Sequence, residues 1–374
     1  MSDVETFKVE VATIKAIEPH PNADKLELAT VFGWQCVVQK GRYQPGDIVV
    51  YIPIDSVLPS ALEERIFGPD SKVKLHNHRV KTIKLRGAIS QGLVVDRGTC
   101  GVETAEPGDN VTKELGITKY EPPAAGFQQH LGTPPKTSYK NPFFKTYTKF
   151  PNYKYYTDLF RADEHVVFTE KIHGTNFRAG WVPFHANTMW RKILKFFKLA
   201  PEWVFVYGSH NVQISEKPDY KGFYEKNVYA EMVVKYDLKN RIPKGRVIYG
   251  EIFGEGIQKG YDYGIKGHDL VLFDIMDTTK AKENGEFEYL NYYDFRNEVD
   301  HVLKMKRVPQ LFEGLYGNAD VQKLIDGNSV MAPSQKVREG AVVKTVYETS
   351  SIIGRKALKI INPEYLLSDP TEFH

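Results

Sequence analysis

The segment FTEKIHGTNFRAGW, residues 168–181, holds one lysine in a place where a lysine could act as a nucleophile. Lys171 follows the strand-like run HVVFT and precedes His-Gly-Thr-Asn, so it stands at the end of a predicted strand, beside a glycine turn. A lysine amine attacks phosphorus only when it is neutral, and its unperturbed pKa of ~10.4 keeps it almost fully protonated at physiological pH. Nearby cations and partial removal from water would lower that pKa. The alternative is an ordinary surface charge in a turn.

Polar residues also stand at the ends of predicted strands further along the chain. Glu251 follows the apolar run RVIYG and is the second residue of GEIFGEGIQKGYDYG, while Glu339 and Lys344 lie at the two ends of EGAVVK. Phe273, in LVLFDI, could offer an aromatic face to a purine. Carboxylates of this kind hold Mg²⁺ or Mn²⁺, largely through waters, beside a triphosphate. Each is more simply a solvated charge when taken alone, but together with Lys171 they predict phosphoryl-transfer chemistry.

Five ordered stretches carry a resemblance to a known superfamily: EKIHGTNF, GEIFGEGIQKGYDYG, LFDI, REGAVVK and ALKIIN. They look like motifs I, III, IIIa, IV and V of the covalent nucleotidyltransferases, which include the ATP-dependent ligases and the RNA capping enzymes. The strings KIHGTNF and GIQKGYDYG are most similar to RNA ligases of the second phage type. The N-terminal strings PHPNADKLELATVFGWQCVVQKG and LRGAISQGLVV resemble a subgroup with an oligonucleotide-binding (OB) barrel ahead of the catalytic domain. The resemblance thus covers almost the whole chain.

The resemblance implies a role for each matched residue. Lys171 would become the lysyl-adenylate, with ATP as the substrate and pyrophosphate as the leaving group. Glu339 would bind the Mg²⁺ or Mn²⁺ ion that poises the lysine, and Phe273 would stack on adenine. The implied nucleotide-binding residues are Glu170, Ile172, Asn176, His210, Glu251, Phe273, Lys344 and Lys359, and the implied metal ligands are Glu251, Glu339 and, as an open question, His173.

Three positions depart from the superfamily pattern. His173 stands where many members have Asp, although the second phage type shares the histidine. His210 takes the place of an arginine that ligases usually have after serine, so its hold on a phosphate or ribose would be weaker and pH-dependent. Ile361 replaces a second lysine of motif V, which leaves Lys359, with or without Lys356, to supply that charge.

The implied function is that of an ATP-dependent RNA ligase. It would join the 3′-hydroxyl and 5′-phosphate ends of RNA, at nicks or breaks in a duplex, through lysyl-AMP and an adenylylated RNA. One alternative is a non-catalytic RNA-binding protein with a degenerate catalytic domain. A DNA ligase and a capping guanylyltransferase are alternatives within the superfamily. In those two classes an OB barrel usually follows the catalytic domain, and here it is expected to precede it.

The order of predicted elements indicates an α+β fold in two domains. Short strands separated by turns over the first hundred residues predict a small barrel, assigned to residues 1–117. Prolines crowd residues 118–155 and predict a linker. Residues 156–374 mix strands and helices, and we expect a nucleotidyltransferase domain of antiparallel sheets with flanking helices. Within it, TMWRKILKFFKLA has helical spacing and is predicted to pack on the sheet.

A run of cations lies in the predicted barrel, in KVKLHNHRVKTIKLRG, residues 72–87. The cations alternate with apolar residues, which is typical of a strand with one wetted face. Such a face is either an ordinary solvated surface or a basic groove for the phosphate backbone of RNA. The candidate RNA-binding residues are Lys72, Lys74, Arg79, Lys81, Lys84 and Arg86.

Composition bounds these interpretations. The chain has 374 residues, 41% of them hydrophobic, and a net charge of +3, which permits an anionic partner without requiring one. Cys36 and Cys100 are the only cysteines, so no disulfide framework or zinc pattern is predicted and a reducing compartment is expected. The polar N-terminus is unlike a signal peptide, and no apolar run is long enough to span a membrane. We expect a soluble, cytoplasmic monomer with an RNA partner and no membrane partner.

Overall fold

A computed structural model of the chain describes residues 7–68, 74–120, 140–186, 188–214, 227–258, 260–281 and 286–368. The chain divides into two compact units. The first comprises Met1–Phe127, Phe150–Arg161 and Leu358–His374, and the second comprises Gln128–Lys149 and Ala162–Ala357. The domain bounds proposed from the sequence stay predictions, and most of the proline-rich segment, residues 121–139, lies outside the described ranges.

The first unit is built mainly of short antiparallel strands. Five of them form one sheet in the order β3–β2–β1–β4–β8, while β6 pairs with β7 and β5 with β9. The elements are β1 (Glu10–Pro19), β2 (Leu26–Val31), β3 (Trp34–Gln39), β4 (Ile48–Ile52), β5 (Ser56–Val57), α1 (Ser60–Phe67), β6 (Thr82–Leu85), β7 (Ala88–Gln91), β8 (Leu93–Asp96), α2 (Arg97–Cys100) and β9 (Thr118–Lys119).

The sheet of the first unit is covered on both faces, and strand β4 shows this most clearly. Val50 and Ile52 belong to a buried cluster with Leu62 of α1, whereas Val49 and Tyr51 belong to a second cluster on the other face. A strand buried on both faces needs apolar residues at every position, because successive side chains point in opposite directions. This explains why its sequence, IVVYI, is continuously apolar rather than alternating.

The second unit contains a six-stranded antiparallel sheet in the order β13–β12–β11–β14–β15–β16, and β10 pairs with both β17 and β18. The elements are β10 (His165–Lys171), β11 (Thr175–Pro183), α3 (Met189–Phe196), β12 (Trp203–Gly208), β13 (Gln213–Ile214), α4 (Val228–Lys235), α5 (Leu238–Arg241), β14 (Arg246–Gly254), β15 (His268–Ala281), β16 (Phe287–Tyr289), α6 (Tyr292–Asn297), β17 (Gln310–Leu315), α7 (Val321–Ile325), β18 (Gly340–Thr345), β19 (Ser350–Ser351) and β20 (Gly354–Arg355). The chain then runs through β21 (Ala357–Ile361) and α8 (Pro363–Ser368) into the first unit.

Alternation along β14 decides which side chains reach each face of the six-stranded sheet. The face that carries Glu251 is called the site face below. Ile248 and Ile252 enter the main core, with residues of helices α4 and α6. Val247 and Tyr249 point to the opposite face, where they pack with Phe144. Because side chains alternate with a period of two, Glu251 shares this second face with Tyr249. Helices α4 and α6 therefore cover one face of the sheet, and Glu251 lies on the other.

Helix α3 forms where the sequence predicts it, but its predicted packing on the sheet is wrong. None of its residues is buried. Trp190 and Phe196 have 68% and 81% of their surfaces exposed. In the part of the chain that the structure describes, no helix is both long and apolar enough to cross a membrane.

Candidate active site

Lys171 and Glu339 meet because strands β10 and β18 pair. The register places Lys171 opposite Gly340, the residue after Glu339. The amine Nζ of Lys171 contacts Oε1 of Glu339. The Glu339 side chain is almost fully buried, whereas 30% of the Lys171 side chain is exposed. The amine is therefore held by a buried carboxylate and stays open to a ligand.

The loop between β14 and β15 forms hydrogen bonds to the two segments that contain Lys171 and Glu339. The backbone N–H of His173 donates to the hydroxyl of Tyr263 at 2.7 Å, and Tyr261 donates to the carbonyl oxygen of Val337 at 3.2 Å. The rings of His173 and Tyr261 lie edge to face with centroids 5.1 Å apart. His173 Nδ1 is 3.9 Å from Glu339 Oε2. The tyrosines of the GYDYG motif had no role predicted from the sequence.

Gly174 allows the turn after Lys171 to lie directly against strand β14. A Cβ atom at this position would overlap the carbonyl oxygen of Ile252 and touch Glu251 Cγ, so only glycine fits. The side chain of Gln258, from the same loop as the two tyrosines, donates to the carbonyl oxygen of Gly174 at 2.8 Å. The turn is thus held from the side of β14, which brings Glu251 close to it.

Glu251 and Asn176 are neighbours on the site face, because β11 and β14 pair with these residues opposite each other. Removal from water raises the pKa of Glu251 to about 8; the charge of Lys171 opposes this shift and that of Glu339 adds to it. The site therefore holds two carboxyl groups close enough to repel each other and one lysine that only partly compensates them.

Three acceptor atoms in this region are buried without a hydrogen-bond donor: Glu339 Oε2, Glu170 Oε1 and Asn176 Oδ1. A buried acceptor that receives no hydrogen bond costs free energy, so native proteins rarely contain one without a reason. Glu170 lies on the other side of β10 from Lys171, so the two atoms that favour a ligand or an ion completing the site are Glu339 Oε2 and Asn176 Oδ1.

Glu170 faces away from Lys171, as expected for neighbours in a strand. Its Oε2 accepts the backbone N–H groups of Val330 and Met331, at 2.8 and 3.3 Å. Burial raises its pKa, against the effect of hydrogen bonds from Ser329 and from those two N–H groups. Ile172 is buried. The nucleotide-binding roles of Glu170 and Ile172 stay predictions.

Phe273 and Lys344 lie beside a buried charge cluster that sequence reasoning did not identify. Asp274 Oδ2 accepts from the hydroxyl of Tyr147 at 2.8 Å, and it pairs with Lys344 at 3.3 Å and with Arg355 at 2.7 Å. Burial alone would raise the pKa of Asp274, but Arg355 and Lys344 hold it below its usual range. The half-buried ring of Phe273 packs on Tyr147 with centroids 4.8 Å apart.

His210 and Lys359 belong to other elements than the pair. His210 is half-buried in the turn after β12, next to Ser209, whose carbonyl oxygen accepts from Arg178 Nε at 2.8 Å. Lys359 lies in β21 and is half-buried, and its backbone N–H donates to Pro151 of the first unit. Contacts of His210 and Lys359 with a nucleotide stay predictions.

The predicted RNA-binding cations of the first unit fall into different environments. Arg79 is buried, with Nη2 at 2.5 Å from Asp55 and its guanidinium 3.8 Å above the ring of Tyr120. Its contacts are therefore with the interior of the first unit. Lys84 is exposed and pairs with Glu364 at 2.8 Å. Lys74 and Arg86 are exposed and Lys81 is half-buried, while Lys72 lies outside the described residues.

The carboxylates of Glu339 and Glu251 are suited to bind a metal ion that keeps part of its water shell. No group of three or more His, Cys, Asp or Glu side chains that could hold a metal occurs among the described residues. Mg²⁺ usually binds one or two carboxylates and completes its shell with waters and phosphate oxygens. Glu339, whose Oε2 accepts no hydrogen bond, and the neighbouring Glu251 fit that requirement. Neither residue is shown to bind metal, and His173 stays an open candidate.

Two protein families match the chain. A family model described as RNA ligase matches residues 164–361, more than half of the chain, and a model described as an OB-fold domain matches residues 8–96. The chain therefore belongs to the RNA ligase family. The predicted order, with an OB barrel ahead of the catalytic domain, is confirmed.

Solved structures of an RNA ligase from Naegleria gruberi share the fold over nearly the whole length. A mutant with ATP and Mn is 23% identical, with a TM-score of 0.70, and the match covers 98% of this chain and 100% of that chain. The same ligase with PPi is 24% identical, with a TM-score of 0.70 and coverage of 97% and 98%. No curated protein sequence matches this chain. The predicted α+β architecture is confirmed.

Proposed function

We propose that this protein is an ATP-dependent RNA ligase that joins 3′-hydroxyl and 5′-phosphate ends, at nicks or breaks in duplex RNA. The observation that carries the proposal is the contact of the Lys171 amine with Glu339, whose second oxygen, Oε2, is buried and receives no hydrogen bond. Family membership and the likeness to a ligase solved with ATP, AMP and PPi support it.

The first proposed step forms the covalent enzyme intermediate. Lys171 Nζ, after losing its ammonium proton, attacks the α-phosphorus of ATP; a P–N bond forms, the P–O bond to the β-phosphate breaks, and pyrophosphate leaves. Glu339 Oε1 is in contact with the amine and would accept the proton. Charge stabilisation and positioning supply most of the catalysis in reactions of this type.

Two further steps complete the proposed cycle. The RNA 5′-phosphate oxygen attacks the lysine-bound AMP, which forms a phosphoanhydride and breaks the P–N bond. The RNA 3′-hydroxyl then attacks the phosphorus of the 5′-phosphate, so a phosphodiester forms and AMP leaves. Asn176, which lies opposite Glu251 in the pairing of β11 with β14, would contact the ribose or phosphates of AMP.

A divalent metal ion is part of the proposal. Glu339 and Glu251 would hold it, and its positive charge would neutralise the triphosphate and compete with the Lys171 ammonium for Glu339. Because burial and neighbouring charge raise the pKa of Glu251 to about 8, this carboxyl is largely neutral at pH 7 in the metal-free protein. A cation would stabilise its ionised form.

The remaining assignments concern the residues that would bind the nucleotide and the RNA. Phe273 would stack on adenine, Glu170 and Ile172 would help to fix the base, and Lys344, Lys359 and His210 would contact AMP or the phosphates. The exposed cations of the first unit would contact RNA. Arg79, which pairs with Asp55, is not expected to do so.

The test combines adenylylation with sealing. Wild-type protein incubated with labelled ATP and Mg²⁺ or Mn²⁺ should retain label after denaturation, and it should seal nicked duplex RNA. Lys171→Ala should lose both activities, while Lys304→Ala, at an exposed residue, should keep them. Replacing ATP with GTP identifies a capping enzyme, and a nick whose 3′-hydroxyl strand ends in 2′-deoxyribose identifies a DNA ligase. Absence of a covalent adduct in the wild type with either metal would refute the proposal.

The second candidate is a protein that binds RNA without catalysis. The departures at His210 and Ile361 favour it, whereas the buried carboxylate against Lys171 weighs against it, since a pure RNA binder gains nothing from that costly arrangement. RNA binding that survives Lys171→Ala, in a protein that never forms an adenylate, would establish this alternative.

A further inference from the structure

Helix α3 has its apolar and basic residues on separate sides. At 100° per residue, Met189, Trp190, Ile193 and Phe196 fall within an arc of about 120°, while Arg191, Lys192 and Lys195 fall on the opposite side within about 100°. Thr188 caps the helix by accepting the backbone N–H of Arg191 at 3.3 Å. The capped helix therefore presents one apolar and one basic face.

The apolar face of α3 is exposed to an unusual degree. Several large apolar side chains of the helix and the residues after it are open to solvent: Met189 (74%), Trp190 (68%), Ile193 (38%), Phe196 (81%), Phe197 (63%) and Leu199 (73%). Single exposed apolar residues are normal on a protein surface, but a contiguous set marks an interaction site.

The charged side chains in and around α3 are all basic. Residues 184–201 contain four Lys and Arg residues, one His and no Asp or Glu. The partner that complements this surface must be both apolar and anionic, because either property alone would leave one face of the helix unmatched. A bilayer that contains anionic lipids offers both at one plane: acyl chains for the apolar face and phosphate headgroups for the flanking lysines.

We propose that α3 is a membrane-docking helix that lies in the surface of an anionic lipid bilayer. The apolar arc enters the region between headgroups and acyl chains, and Lys192, Lys195 and Lys198 contact headgroup phosphates. Docking of this kind needs no spanning segment, so the absence of a long apolar run in the sequence does not oppose it. The proposal replaces the expectation of no membrane partner and is independent of the ligase chemistry.

Two other occupants fit the helix less well. Nucleic acid complements the cations, but proteins that bind single strands set aromatic side chains within a basic groove. Here Trp190 and Phe196 lie on the apolar arc with the aliphatic Met189 and Ile193. A second copy of the chain could cover the apolar arc, but it would bring two basic segments together.

The experiment is co-sedimentation of the full chain with vesicles of phosphatidylcholine alone or mixed with phosphatidylglycerol. Wild-type protein should bind the mixed vesicles and bind less as salt rises. Phe196→Glu should weaken binding at least about tenfold, and Lys192→Gln with Lys195→Gln about 30-fold. The matched controls Ile352→Glu, at a residue that is 88% exposed, and Lys239→Gln with Lys304→Gln should bind like wild type.

Folding is monitored by adenylylation with labelled ATP or, independently of ligase activity, by circular dichroism. Failure of the wild type to bind mixed vesicles, or equal losses in the α3 variants and the controls, would overturn the proposal. So would weaker binding of duplex RNA by the α3 variants without vesicle binding, which would assign the helix to RNA. A concentration-dependent dimer that Phe196→Glu abolishes, in protein that does not bind vesicles, would assign it to a second copy.

Discussion

Two buried charge clusters of the second unit differ in how completely their polar atoms are satisfied. Around Asp274, the carboxylate accepts from Tyr147 and pairs with Lys344 and Arg355, and its Oδ1 accepts the backbone N–H of Ile275 at 3.1 Å. Around Lys171, Glu339 holds the amine with one oxygen while its other oxygen is buried without a donor.

We expect the cluster around Asp274 to stabilise the fold and the cluster around Lys171 to bind a ligand. A fully satisfied buried network rigidifies its surroundings, and removing one member leaves the others as uncompensated charges. A partly satisfied cluster lowers the free energy of unfolding of the ligand-free protein. A ligand that binds to the unsatisfied atoms accounts for such a cluster. Substitutions in the two clusters should therefore have opposite effects on stability and activity.

The largest effect on stability is expected from Asp274→Ala. It leaves the buried Lys344 and Arg355 without their carboxylate, so the free energy of unfolding should fall by about 3–5 kcal/mol. Denaturant unfolding followed by circular dichroism measures this change. Asp326→Ala, at an exposed residue, is the matched control and should change stability by less than about 0.5 kcal/mol. Equal stability of the two variants would contradict a structural role for the Asp274 cluster.

Glu339→Gln should show the opposite pattern. Loss of the carboxylate should slow formation of enzyme-AMP by at least about 100-fold, because the charge that holds the amine and the metal is gone. The free energy of unfolding should change by less than about 1 kcal/mol, since one carboxylate oxygen lacks a donor already. Single-turnover labelling and denaturant unfolding of one preparation give both values. A destabilisation as large as that of Asp274→Ala would remove the distinction between the clusters.

Glu251 predicts a pH dependence of the metal-free protein. Its pKa is raised from 4.5 to about 8 by burial, so the folded state binds a proton that the unfolded state releases above about pH 4.5. Stability should therefore fall as pH rises from about 4.5 to about 8. Glu251→Gln should flatten the unfolding profile across that range, whereas Glu288→Gln, at an exposed residue, should leave it unchanged. Identical slopes in the two variants would show that Glu251 titrates normally.

The smallest of these effects is expected from Tyr263→Phe, which removes the hydroxyl that accepts the His173 N–H. An unpaired buried N–H costs about 1 kcal/mol or somewhat more, so enzyme-AMP formation should slow about five- to tenfold. The single-turnover rate with saturating ATP measures this effect. Tyr347→Phe, whose ring is 62% exposed, should react at the wild-type rate. Equal rates for the two variants would mean that the tyrosine loop does not position the turn after Lys171.

The sequence predicted the part of the site that depends on local pattern. Lys171 and Glu339 each stand at a strand end in a recognisable motif, and strand pairing then brings them together. Glu251, which the sequence placed just after a strand, lies inside β14. Pairing partners distant in the chain could not be predicted: Tyr147 reaches Asp274 across 127 residues, and neither shows a signal for this contact.

Side-chain environment was the other property that the sequence did not reveal. Arg79 and Lys84 look alike in the basic run, yet one is buried against Asp55 and the other lies at the surface. Helix α3 has the spacing of a helix that packs on a sheet, and periodicity alone does not state what its apolar face meets. Both differences depend on tertiary contacts.

The most direct test of the central claim is to locate AMP on the protein. Wild-type protein is incubated with ATP and Mg²⁺ or Mn²⁺, digested, and its peptides are identified by mass spectrometry. AMP should be found on the peptide that contains Lys171, attached to that side chain, and it should be absent from every peptide of Lys171→Ala. AMP attached to another residue, or an intact wild-type protein that carries none, would contradict the assignment of Lys171 as the nucleophile.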